Sequence, residues 1–63
     1  MSDLVYLARK LRNAAHDLAE AQVVARTLKL PTYVQAPIAK AALQADSSAT
    51  VMERVAAEQA EGQ

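Results

Sequence analysis

The stretch LVYLARKLRNAAHDLAEAQVVARTL, residues 4–28, decides the fold. Leu4, Leu7, Leu11, Ala14, Leu18, Ala21, Ala25 and Leu28 recur at alternating spacings of three and four, which is a heptad seam. With Leu4 as position a, every a and d position through residue 28 is apolar, while Arg9, Lys10, Arg12, Asn13, His16, Asp17, Glu20, Arg26 and Thr27 fall on other faces. A strand alternates with period two and does not produce this pattern; one long amphipathic helix does. Such a helix needs a neighbour, because most helical stability in water comes from packing the apolar face.

Working outward, Ser2 is the expected N-cap, with Asp3 placed to meet the positive end of the helix dipole. The first helix is expected over about 3–30, ending before Pro31, which cannot continue the ladder. Residues 31–36 read as a connector, in which Thr32 and Gln35 have capping-box spacing. Pro37 suits the first residue of a second helix, expected over about 37–61. There Ile38, Ala41, Ala42, Ala45, Ala49, Met52, Val55 and Ala56 keep helical phase. The residues from Asp46 to Thr50 favour caps and turns and are where this helix would break, but the apolar phase crosses them without a shift. Gly62 follows the last turn.

Two helices of similar length imply an all-α antiparallel hairpin, a single domain over residues 1–63. Charge agrees: residues 1–40 carry six Lys or Arg and three acids, and residues 41–63 carry one Arg and four acids. Folding back brings Arg9, Lys10 and Arg12 toward Glu53, Glu58 and Glu61. Sixty-three residues barely supply one core, and neither a disulfide nor a cysteine zinc site is available, since cysteine is absent. Fifteen residues are alanine, Phe and Trp are missing, and Tyr6 and Tyr33 are the only aromatics, so the core is thin. Val5, Val24, Leu43 and Val51 widen the stripes beyond one seam, and a homodimer forming a four-helix bundle completes the burial.

The same residues bound the function. No glycine-rich phosphate loop, cysteine nucleophile or nucleophile elbow occurs, and an Ala-rich bundle this small has little room for a cleft, so a non-enzyme without cofactor or metal is expected. His16 beside Asp17 and Glu20 reads as a solvated helical histidine. No run approaches the roughly 20 apolar residues of a membrane span, and Arg9, Lys10 and Arg12 interrupt any signal-peptide core, so the expected location is the cytoplasm, away from membranes. What remains is a protein–protein interaction module: a regulator, adaptor or inhibitor, of the kind also carried by phages and plasmids. Val23 and Leu30 stand one heptad apart opposite the seam, followed by Tyr33 and Val34, and these four are the expected contacts to a protein partner. The alternative is a nucleic-acid-binding regulator gripping phosphates with Arg9, Lys10, Arg12, Asn13 and His16; zero net charge and pairing with the acidic half weigh against it.

Overall fold

A computed structural model describes residues 3–61. Helix α1 (Asp3–Thr27) and helix α2 (Thr32–Glu61) pack along their lengths as a hairpin measuring 49 × 15 × 12 Å. The expected cap at Ser2 and stop at Gly62 lie outside the described residues. Helix α2 is unbroken from Asp46 to Thr50, where the continuous apolar phase outweighs the turn-forming residues.

The connector differs from expectation. Helix α1 stops at Thr27, short of Leu30, and α2 begins at Thr32, ahead of Pro37. The chain leaves α1 through a Schellman cap: Leu30 N–H donates to the Ala25 carbonyl (3.2 Å) and Lys29 N–H to that of Arg26 (3.0 Å). That geometry needs a left-handed residue, and Lys29 adopts it with φ 55°. Pro31 then holds Leu30 away from helical angles, and the Pro31 carbonyl opens α2 by accepting from Val34 N–H (2.9 Å) and Gln35 N–H (3.1 Å). Gln35 does reach back, but its side-chain amide donates to the Leu30 carbonyl at 2.6 Å, so it clamps the connector rather than forming a box with Thr32. Pro37 lies inside α2 near its start. It withholds the N–H that would serve the Tyr33 carbonyl, in the first turn of the helix, where Tyr33 itself is highly exposed.

The packing seam is also rotated from the expected one. Leu4, Leu11, Leu18 and Ala25, the a column, are buried or half-buried, but the d residues Leu7, Ala14, Ala21 and Leu28 are exposed. Their place against α2 is taken by the e column, Ala8, Ala15 and Gln22. On α2 the matching columns are Ile38, Ala45 and Met52 with Ala42, Ala49 and Ala56. Alanines seven residues apart on both helices let the backbones approach closely, whereas Leu7 and Leu28 would hold them apart. Among the described residues the buried ones are all alanine: Ala8, Ala15, Ala25, Ala42 and Ala49.

Candidate functional site

Because α1 uses a and e against α2, the hairpin has two unlike broad faces. One is polar and centres on Arg12. Its guanidinium crosses the seam to Glu53 as a two-pronged pair, Nε to Oε2 at 3.0 Å and one terminal nitrogen to Oε1 at 2.8 Å. The same nitrogen donates to Thr50 Oγ1 at 3.2 Å, and the other to Asp46 Oδ1 at 2.6 Å. Asp46, Thr50 and Glu53 lie at spacings of four and three, so one α2 stripe supplies all three acceptors. The hydrogen bonds Arg12 donates hold the Glu53 carboxyl below the usual carboxylate range, with desolvation opposing, and donation to the Glu53 and Asp46 carboxylates raises Arg12 above its ordinary value. Val5, Ala8, Arg9, Asn13 and Ala56 border this cluster in a shallow recess.

The opposite face is apolar. Leu7 and Leu11 of α1 meet Ser47, Ser48, Val51 and Met52 of α2 along an open groove of about 460 Å³. The helical phase continues this face through Ala14, Ala21, Val24 and Leu28 on α1, where Val24 is 54% and Leu28 64% exposed, and Val51 on α2 is 57% exposed. The half-buried Val34, Ala41 and Val55 flank the seam on the α2 side of the same face.

The four residues expected to contact a protein partner separate into two kinds. Val23 (56% exposed) and Tyr33 (79%) are open to solvent, while Leu30 and Val34 are half-buried at the connector. Val23 points away from the seam on α1 and Tyr33 does so on α2, so they lie on the outer sides of different helices.

The basic residues are likewise divided. Arg12 is committed to Glu53 and Asp46. Lys10 Nζ stands 5.4 Å from the centre of the Tyr6 ring, a cation–π contact. His16 Nδ1 is 3.7 Å from Glu20 Oε1, one turn on, and both side chains are exposed. His16, Asp17 and Glu20 can bring ligand atoms within 4.8 Å of one another, but all three are exposed and the His16–Glu20 spacing is that of ordinary helix neighbours. Arg9 and Asn13 remain exposed. Of the acidic residues expected opposite this cluster, Glu53 meets it; Glu58, one heptad from Val51, is exposed at the edge of the other face; Asp46 joins although the sequence pattern does not single it out; and the side chain of Glu61 is outside the described ones.

Among the described residues no helix is long and apolar enough to cross a membrane. No protein-family model, curated protein or solved structure matches the chain.

Proposed function

We propose that this chain is a small non-enzymatic protein–protein interaction module, a regulator, adaptor or inhibitor that works as a self-associated helical bundle, two hairpins forming four helices. The observation that carries the reading is the inversion of burial: among the described residues every buried one is an alanine, while Leu7, Val23, Val24, Leu28, Tyr33, Leu43 and Val51 are exposed. An alanine seam removes little apolar area per residue from water, so most of the chain's hydrophobic free energy is available only on contact with other surfaces. Self-association uses part of that surface, and Val23 and Tyr33 on the outer sides provide anchors for a second protein, the tyrosine able to bury its ring and leave its hydroxyl wet.

The test is capture from extract of the native host, comparing the wild type with Val23→Ser/Tyr33→Ala, with and without nuclease. One protein retained in stoichiometric yield by the wild type, resistant to nuclease and lost with the variant, is the expected result. Recovery that nuclease abolishes would replace this reading with phosphate recognition through Arg9, Lys10, Asn13 and His16. The variant is expected to melt close to the wild type, since exposed substitutions usually change stability by under about 0.5 kcal/mol.

A further inference from the structure

From the two unlike faces we infer that the apolar one, carrying Leu7, Ala14, Ala21, Val24 and Leu28 on α1 and Val51 on α2, is the self-association surface, and that its occupant is a second copy of this chain. The inference rests on the bundle reading above and adds which face closes the bundle.

Area gives the first argument. The hairpin exposes 4837 Å². A compact folded chain of 6.8 kDa exposes about 4,000 Å², so roughly 800–900 Å² is in excess. One partner's share of a standard protein interface is about 800 Å². A second copy laid along the 49 Å length of the hairpin removes area on that scale, and it is itself a hairpin with the same excess.

Sequence columns give the second. On α1 the a column lies between the e column, Ala8, Ala15 and Gln22, on one side and the wholly apolar d column, Leu7, Ala14, Ala21 and Leu28, on the other. A helix with one neighbour needs two columns; a helix in a bundle, with neighbours on two sides, needs three. The e side is filled by α2, and the d side repeats the same seven-residue step for an unfilled neighbour. The polar face lacks this property, because its b column holds Arg12 and Arg26 beside Val5 and Ala19.

Charge gives the third. The apolar face is bordered by Lys10, Asp17, Lys40, Arg54 and Glu58, both signs together, so a copy related by a two-fold axis meets no single-sign field. A strongly basic or acidic partner finds no matching rim there.

Sedimentation equilibrium on three proteins decides the matter: wild type, Val24→Glu/Val51→Glu, and Val5→Glu/Leu43→Glu, which makes the same charge change on the polar face and the outer edge. The expected result is a mass twice that of the chain for the wild type and the control, and the single-chain mass for Val24→Glu/Val51→Glu. A control that dissociates while Val24→Glu/Val51→Glu stays dimeric overturns this inference and leaves self-association standing. A monomeric wild type with a concentration-independent melt overturns both. If Val24→Glu/Val51→Glu does not fold, labelling answers in its place, since the chain has no cysteine. The thiol of Ala21→Cys is expected to react at least about tenfold more slowly than that of Leu43→Cys at dimer concentrations and to catch up on dilution. Equal rates at every concentration overturn the inference.

Discussion

On one broad face of the hairpin, Arg12 reaches over the seam to Asp46, Thr50 and Glu53; on the other, Leu7, Val24, Leu28 and Val51 stand in water. Both faces border the same alanine contact, and the columns beside that contact determine how they differ. A long cation beside the seam spans it and finds acceptors without help from another chain. Leucine and valine in the equivalent place have nothing to span to, and their burial requires a surface from outside. In this hairpin, then, the polar groups beside the seam pair across it, while the larger apolar groups on the other face stay exposed, the surface proposed above for association. The difference can be probed by substitutions that load one face, both faces or neither.

The largest effect is expected from Leu18→Ala. Leu18 is half-buried within the hairpin and belongs to the a column, which both seams share. Truncation therefore removes packing on the α2 side and, in the proposed dimer, on the copy's side too. For a leucine buried from both sides the cost is about 2–5 kcal/mol. Thermal melts at high and low protein concentration separate the contributions: the loss should be greater where the protein is dimeric. An equal loss at both concentrations would mean that Leu18 serves the hairpin alone and that the apolar face is not covered.

A smaller effect, of opposite sign, is expected at the connector, away from both faces. Lys29 holds a left-handed conformation that costs a non-glycine residue roughly 1–2 kcal/mol, and glycine offsets part of that gain through its greater freedom when unfolded. Lys29→Gly should stabilise the protein by about 0.5–1 kcal/mol in urea denaturation and leave its mass in solution unchanged. Destabilisation would mean that the Lys29 side chain contributes more than its backbone costs. A change in mass would show that connector geometry feeds into the association face, so that the faces are not independent.

How far all this is legible in residues 1–63 depends on what each signal measures. The a column from Leu4 to Ala25 is unmistakable, and so is the antiparallel pairing implied by basic and acidic halves. The partner column is not: d is apolar throughout while e holds Ala8, Ala15 and Gln22, and a pattern that weights leucine above alanine chooses Leu7 and Leu28. Close approach favours the smaller residue, which is why Ala8 and Ala15 face α2. The connector misleads for a related reason. Pro37 fits a first helical position, but Pro31 with Gln35 can open the helix earlier, and a proline in the first turns of a helix disturbs few of its hydrogen bonds. Asp46 and Thr50 look like a weak point in α2 when read along the chain. Read across it, they form with Glu53 the acceptor stripe facing Arg12, a relation visible only once the register is known. The association face carries a signal in the third apolar column of α1, whereas the chemistry of a protein partner leaves none in a chain without a recognisable motif.

The smallest effect expected separates the faces by acid. Arg12 holds Glu53 below its ordinary value of 4.5 in the folded protein, while in the unfolded chain the carboxyl titrates near that value. Above the unfolded value the carboxylate is ionised in both states, and its preference for the folded one is fully present. As pH falls below 4.5 the unfolded state takes up the proton first, so the contribution shrinks, and it is gone once pH has passed the folded value as well. The melting temperature of the wild type should therefore fall more steeply through this acid window than that of Glu53→Gln. Arg12→Gln, which removes the donor, should flatten the fall by the same amount, and the double substitution should flatten it no further. Equal slopes in the wild type and Glu53→Gln would mean that the pair is too solvated to register. If the second copy sits on the apolar face as proposed, the cluster lies on the face turned away from it, and acid that weakens the cluster should leave the mass in solution unchanged until the helices themselves melt. Dissociation that tracks the protonation of Glu53, before any loss of helix, would place Arg12 and its acceptors in the dimer contact and reverse the assignment of the two faces.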